Sequence, residues 1–411
     1  MPELNVRRNT ILLAATLAVN TCLFQLAAAV NSLTFVEVTG VTGLLGLGPA
    51  IFLASSGLAA LPAGRAMDHF GRIPVMVVGF LIAAAGCLLI ALATRTDSTV
   101  AVVAGMALTG AAGGVALLIR TAAGDMYPPE RRGRGISYVL FGAVFGAVLG
   151  PALFGPLFAG KDLEAESLTV PWLAGAGIAL VSLVIVLFVR PDPKRIAEAI
   201  GSRGRAQPAA PAPAAPLREI LRRPGVLSAL IAAVASFAVM VSVMNLTGYV
   251  VVEHHGHAQD DVFPIIGAHV LGMYALVLFV GSMIDSIGRG RSLYGGLALM
   301  GLSCIGLAWF ESVLGTGVLL FGLGLGWSVS FVAATTQLAD CAAPSERGRL
   351  LGFSDQISAL TGAALALVGG VALDALGVVA LAVGATVIVL LPLFRLVRRE
   401  PPTATIAARR T

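Results

Sequence analysis

Two nine-residue stretches decide the fold: GRAMDHFGR at residues 64–72 and GSMIDSIGR at residues 281–289. They share glycine, aspartate, glycine and arginine at one spacing, and the second lies 217 residues after the first. A second pair, DMYPPERRGR at 125–134 and DCAAPSERGR at 340–349, repeats at nearly the same offset. Matched clusters with one period indicate a chain of two related halves. The shared residues of the first pair are Gly64, Asp68, Gly71, Arg72, Gly281, Asp285, Gly288 and Arg289.

The composition indicates an all-α membrane protein. Hydrophobic residues make up 57% of the 411 residues and charged residues only 12%, and the mean hydropathy is +0.91. Soluble domains carry about 25% charged residues. The charges are clustered, and the apolar runs between the clusters reach the roughly 20 residues that a helix needs to cross a bilayer.

The apolar runs predict twelve membrane-spanning helices in two pseudo-symmetric bundles of six. The predicted spans are 10–30, 44–63, 74–93, 99–119, 137–158, 171–189, 226–250, 264–284, 293–310, 313–336, 352–373 and 376–396. The first run is too long for a signal peptide and contains Asn20 and Gln25, so we interpret it as a retained helix. The chain divides into an N-terminal half (1–189), a linker (190–225), a C-terminal half (226–396) and a tail (397–411).

The linker contains QPAAPAPAAP and eight lysine or arginine residues, which predicts a semi-rigid or disordered spacer and not a domain. The positive charges also predict the orientation. Of the 27 lysine and arginine residues, only Arg95 and Lys161 fall in odd-numbered loops. Cytoplasmic loops are enriched in these residues, so we predict an inner-membrane protein with both termini in the cytoplasm. The net charge of +5 follows from this topology and requires no nucleic-acid partner.

The two repeated loops resemble the signature loop of the major facilitator superfamily and its second copy, and this resemblance covers essentially the whole chain. It implies a transporter of twelve helices that works by alternating access. It also implies that Asp68 faces the start of the eleventh helix and Asp285 the start of the fifth. An aspartate in such a position can cap a helix N-terminus. The shared residues of the two loops are therefore predicted to form a conformational latch on the cytoplasmic side.

The predicted membrane interior contains almost no ionisable side chain. Helices one to six offer Asn20 and Gln25, and we interpret Asp355, near the start of the eleventh span, as a helix cap. Many proton-coupled members of the superfamily carry an arginine in helix four, four residues before a glycine. Met106 stands at that position, counted from Gly110, which disfavours the usual form of proton coupling.

Four residues in the seventh and eighth spans form the candidate metal site: Met240, Met244, His269 and Met273. A spacing of four puts both members of each pair on one helix face. The two helices run in opposite directions, so Met244 is predicted level with His269 and Met240 level with Met273. Thioether sulfur suits Cu(I), and imidazole also binds copper. The outer loop adds His254, His255 and His257, which we interpret either as a metal-collecting loop or as a solvated loop.

These paired motifs resemble those of the CcoA-like copper importers of the superfamily. The resemblance implies copper as the transported substrate, no prosthetic group, and a copper-accepting protein in the cytoplasm as a partner. Relatives without the motif carry other cargo, including riboflavin. The alternatives are import of a vitamin-like molecule or proton-coupled drug efflux, favoured if the cavity is large and apolar and lined by Trp327 and Asn20. A third alternative is a copper sensor or assembly factor that does not transport. No enzyme motif is present.

Overall fold

The computed structural model describes residues 5–40, 47–158, 168–202, 215–251, 255–256 and 262–397. These residues form helices joined by short turns. The helices are α1 (Val6–Thr39), α2 (Leu47–Phe70), α3 (Arg72–Thr96), α4 (Thr99–Leu117), α5 (Ile119–Asp125), a 3₁₀ turn (Pro129–Arg131), α6 (Arg132–Leu140), α7 (Gly142–Phe158), α8 (Thr169–Leu187), α9 (Pro193–Ser202), α10 (Leu217–Ile220), α11 (Val226–Tyr249), α12 (Val262–Tyr274), α13 (Val277–Ile287), α14 (Arg289–Gly306), α15 (Val313–Asp340) and α16 (Arg347–Val397).

The all-helical fold of twelve spans in two bundles is confirmed. Ten helical segments of the described chain are long and apolar enough to cross a membrane. The other two spans are α14 and the first part of α16, which both begin with arginines. Three spans consist of two helices each, namely α4 with α5, α6 with α7, and α12 with α13. The eleventh and twelfth spans are merged in α16 across a kink at Gly377, whose φ of +78° is not helical.

Three buried apolar clusters hold the spans together. One lies within the N-terminal half and one is built largely by the C-terminal half. The third contains residues of both halves, such as Met67 from α2 and Leu350 from α16. This shared cluster lies at the end of the bundle that carries the repeated loops, which we call the basic end. The positive-inside rule predicts that the basic end is cytoplasmic.

Glycines let the helices approach closely. A Cβ atom at Gly142 or Gly146 of α7 would lie 2.1 Å or 2.2 Å from a backbone oxygen of α1. Close contacts of this kind are how membrane helices pack without a hydrophobic driving force. Gly71 and Gly288 have a different role, because each starts a tight turn with φ near +100°. An L-residue with a side chain rarely adopts this conformation.

The linker is not a bare spacer along its whole length, because helices lie at both ends of it. In α9, Ile196 and Ala197 are buried against the bundle. Just before α9, the Asp192 carboxylate accepts a hydrogen bond of 2.9 Å from the backbone N–H of Ile73 at the start of α3. Lys194 donates to the backbone oxygen of Asp68 at 2.5 Å. The first part of the linker is thus bound to the repeated loop, and the stretch 203–214 lies outside the described residues.

Candidate functional site

At the basic end, two aspartates cap helices of the opposite half. Asp68 on α2 accepts hydrogen bonds of 2.8 Å and 2.6 Å from the backbone N–H groups of Gly348 and Arg349, in the first turn of α16. Asp285 on α13 accepts bonds of 3.1 Å and 2.9 Å from the first turn of α6. Free N–H groups at a helix start attract a carboxylate. Each bond therefore joins the two halves.

Charged side chains surround each cap in two repeat-related clusters. In the first cluster, Arg72 contacts both Asp68 (2.9 Å) and Asp125 (2.7 Å). Asp125 also forms an ion pair of 2.7 Å with Arg347 of the other half. The second cluster has the same plan and consists of Asp285, Arg289, Asp340 and, from the other half, Arg132. Both clusters therefore contain an ion pair between the two halves.

A central cavity of about 260 Å³ lies between the halves, beyond the basic end. Its walls come from α1, α2, α4 to α7, α11, α12, α15 and α16. The lining is mostly apolar, with the polar exceptions Thr21, Gln25, Ser56 and Arg120. Both halves of the chain therefore contribute to the wall of this cavity.

Aromatic side chains dominate the C-terminal wall of the cavity. The rings of Trp327 and Phe331 on α15 are stacked, with centroids 4.7 Å apart and planes at 18°. Tyr274 meets Trp327 edge to face at 6.2 Å. On the N-terminal wall, Phe24 and Phe52 form another edge-to-face pair at 6.0 Å. These rings make much of the cavity wall aromatic and apolar.

A buried ion pair joins the two halves at this cavity. Arg120 of α5 lines the cavity, and its Nη2 contacts Oδ1 of Asp355 on α16. The Nε of Arg120 donates to Thr335 at 3.1 Å, and the guanidinium lies 4.6 Å from the centre of the Phe331 ring. Oδ2 of Asp355 has no hydrogen-bond partner among the described residues.

This ion pair corrects two sequence interpretations. The predicted fourth span ended at 119 and left Arg120 among the loop cations, but the helical span continues to Asp125. Asp355 was interpreted as a cap, but it lies two turns inside α16 and only 4% of it is exposed. The signal that could have revealed the pair is a lone arginine directly after a strongly apolar run, with a lone aspartate in another span.

The four candidate metal ligands are divided between two locations. Met244 and Met273 line the central cavity. Met240 is buried in the core of the C-terminal half. His269 is fully buried, and its Nδ1 lies 2.9 Å from the backbone oxygen of Leu320 on α15. Its Nε2 has no partner within the described chain.

The remaining predicted residues lie elsewhere. His255 lines a small cavity in the C-terminal half together with Cys304, while His254 and His257 lie outside the described residues. Trp327 lines the central cavity as the organic-cargo hypothesis requires. Asn20 does not, because it lines a separate small pocket behind Phe24 and Phe52.

Comparisons with known proteins agree with this architecture. The chain is 29% identical over 353 residues to the riboflavin transporter RfnT of Brucella anthropi, covering 85% of both chains. It is 29% identical over 340 residues to the uncharacterised transporter YdeG of Bacillus subtilis, covering 82% of this chain and 78% of that protein.

Among solved structures, the proton:xylose symporter XylE matches with a TM-score of 0.77 at 15% identity, covering 96% of each chain. The human organic anion transporter MFSD10 matches with a TM-score of 0.72 at 18% identity, covering 96% of this chain and all of that one. At such identities the two structures show the fold alone. The family model of the Major Facilitator Superfamily matches residues 13–364. With twelve spans, repeated loops and a central cavity between its halves, the chain belongs to the major facilitator superfamily and is a membrane transporter.

Proposed function

We propose that this transporter moves a small organic molecule with a flat aromatic ring by alternating access. The aromatic central cavity carries the proposal. Its volume of about 260 Å³ approaches the roughly 300 Å³ at which pockets for small molecules begin. A site for one ion is far smaller, since a water molecule occupies only about 30 Å³.

The cavity walls supply both contacts that such a cargo needs. Trp327 lines the cavity, and an aromatic contact between its ring and the ring of a cargo would contribute roughly 0.5–1.5 kcal/mol beyond the burial of area. The indole Nε1 of Trp327 is buried and has no partner within the described residues. A buried donor without an acceptor is costly, so a ring that carries a carbonyl or ring nitrogen would satisfy it.

The relative RfnT supports this class of cargo, because its name gives it as a riboflavin transporter. Riboflavin contains a flat three-ring system with carbonyl and nitrogen acceptors along its edges. It is therefore the first compound to test. Import across the bacterial inner membrane, with the basic end in the cytoplasm, is part of the proposal.

We expect proteoliposomes with the purified protein to accumulate riboflavin, and Trp327→Ala to reduce this uptake at least tenfold. The substitution removes both the stacking surface and the indole donor. Trp327→Phe keeps a ring and should lose less. Trp309→Ala is the control, because Trp309 is 69% exposed beyond the helices. If the parent protein takes up neither riboflavin nor other flat heterocycles such as lumichrome, the proposed cargo class is wrong.

Copper import is the second candidate, and one observation favours it. Met244 and Met273 line the cavity, while His269 is bonded through Nδ1 and has a free Nε2 within the described chain. If Nδ1 donates its proton to Leu320, Nε2 keeps the lone pair that binds a metal. His269 and Met273 lie one turn apart on α12, so a movement of α11 relative to α12 would have to bring the Met244 sulfur to them. A cytoplasmic copper acceptor belongs to this candidate.

The two candidates differ in their response to a conservative double substitution. Met240→Leu with Met244→Leu keeps volume and apolarity, and such exchanges usually cost under about 1.5 kcal/mol of stability. If copper is the cargo, the double variant should lose most uptake of Cu(I) into proteoliposomes. Met300→Leu, at a buried methionine of α14, is the control. Unchanged copper uptake in the double variant would eliminate the thioether site.

A further inference from the structure

The pair Arg120–Asp355 is an exception to the repeat. The repeat counterpart of Arg120, 215 residues later, is Thr335, and the two side chains are bonded to each other. The counterpart of Asp355 at the same offset is Leu140. Packing of the repeated fold therefore does not require a charge at either position. A charge pair in a membrane interior is costly and marks function.

The pair also spans the boundary between the two halves, which must open at the basic end during transport. Arg120 belongs to the N-terminal half and Asp355 to the C-terminal half, so the two separate when the basic end opens. Arg120 keeps a contact within its own span, the hydrogen bond to the backbone oxygen of Leu117 at the end of α4. Asp355 would lose its only described partner as the halves begin to separate, before water on the basic side reaches it. An isolated buried carboxylate is so unfavourable that it becomes neutral.

We infer that Asp355 is a proton-binding site that couples transport to proton movement. With the basic end closed, Asp355 binds a proton from water on the opposite side, forming an O–H bond that frees Arg120. The halves then rock and the basic end opens. Asp355 releases its proton to water on the basic side, and the ion pair re-forms on closure. One proton thus crosses per cycle, in the same direction as an imported cargo.

Few other groups can titrate near Asp355. The helices α4 and α11, which contact α16, contain no charged residue. On α5 the other charged group is Asp125, inside the first cluster. The charged groups of α2, α10, α14 and α15, all at the basic end, are Arg65, Asp68, His69, Arg218, Glu219, Arg289, Arg291 and Asp340. Arg120 is the cation that contacts Asp355 in the described chain.

The test measures how pH changes the opening of the basic end, without any cargo. Spin labels go on cysteines at Glu130→Cys and Ala343→Cys, two exposed positions in opposite halves. Cys341, which is half-buried, is replaced by serine, while the other three cysteines are buried. Distances between the labels are measured on the full chain in detergent from pH 8 to pH 5. We expect the fraction with an open basic end to rise at least threefold as the pH falls.

Asp355→Asn mimics the neutral acid, so its open fraction should be high at every pH. The double variant Arg120→Gln with Asp355→Asn removes both charges together, and its open fraction should also be high at every pH. It replaces the single variant in the test if Asp355→Asn alone does not fold. Asp97→Asn makes the same chemical change at an exposed carboxylate and should keep the parent response. A parent without pH response, or a folded Asp355 variant with the parent response, would overturn the inference.

A second measurement connects the proton site with the proposed function on which coupled transport rests. Riboflavin added outside proteoliposomes should lower the pH of the lumen, as reported by an enclosed pH-sensitive dye. The Asp355→Asn substitution should abolish that signal. Riboflavin uptake by the parent without acidification would refute coupling. If the parent moves no riboflavin, the proposed cargo is wrong, and the distance measurements still decide whether Asp355 binds the proton.

Discussion

Gly64→Ala should hold the transporter with its basic end open and reduce uptake at least tenfold. A Cβ atom at Gly64 would lie 2.0 Å from the backbone oxygen of Gly348 on α16. Both partners are backbone, so no side chain can rotate away. The clash exists only while α2 and α16 are in contact, so the substitution penalises the closed state and leaves the open state unstrained.

The size of this effect follows from the cost of overpacking. Inserting a methyl group into a tight contact costs about 1–3 kcal/mol, and each 1.4 kcal/mol shifts a two-state equilibrium about tenfold. Label distances across the basic end and uptake into proteoliposomes measure the two consequences. The control is Gly177→Ala in α8, where an added Cβ meets nothing within 4 Å. If the basic end of the Gly64→Ala variant closes normally, closure does not require the tight contact between α2 and α16.

Arg120→Gln should destabilise the folded transporter strongly, and Asp355→Asn in the same protein should restore much of the loss. Removal of one partner from a buried ion pair costs about 3–5 kcal/mol, because the remaining charge has no compensation. Removal of both charges avoids that cost. Thermal unfolding in detergent at pH 8 measures the difference, and Arg131→Gln, at an exposed arginine, is the control.

Two outcomes would contradict this account of the ion pair. If the Arg120→Gln variant has the same unfolding temperature as the parent, Asp355 already has another partner or carries a proton at pH 8. If the double variant is no more stable than the single variant, the contacts of Arg120 with Thr335 and Phe331 matter more than its charge. In either case the pair does not hold the halves together electrostatically.

The fold was predictable because its signals are local and repeated. Each signature loop is nine residues long, and its second copy gives independent support for the interpretation. The contacts of Asp68 and Asp285 with helix starts agree with what the family resemblance implied, whereas their latch role stays a prediction. The division into spans was predictable wherever an apolar run ends in a polar turn, and it failed where Arg120 continues a helix.

The candidate site was less predictable because its parts are distant in sequence. Arg120 and Asp355 are separated by 235 residues, and nothing local to either residue reveals the other. Helical spacing placed Met240 and Met244 on one face, yet only Met244 lines the cavity. A single turn of helix separates the lining of the cavity from the core. Spacing gives the face of a helix, and the tertiary packing decides how far that face reaches into the cavity.

The exchange of arginines between the two charged clusters follows a two-fold symmetry between the halves. Asp125 contacts Arg347 of the other half, and Asp340 contacts Arg132 in return. A symmetric dimer of an ancestral six-helix protein would make both contacts identically, before gene duplication and fusion joined the copies. Arg120 contacts its own counterpart Thr335, so it lies near the former two-fold axis. Two arginines facing each other there would repel, so a charge at this position requires that the two halves differ, as Arg120 and Thr335 do.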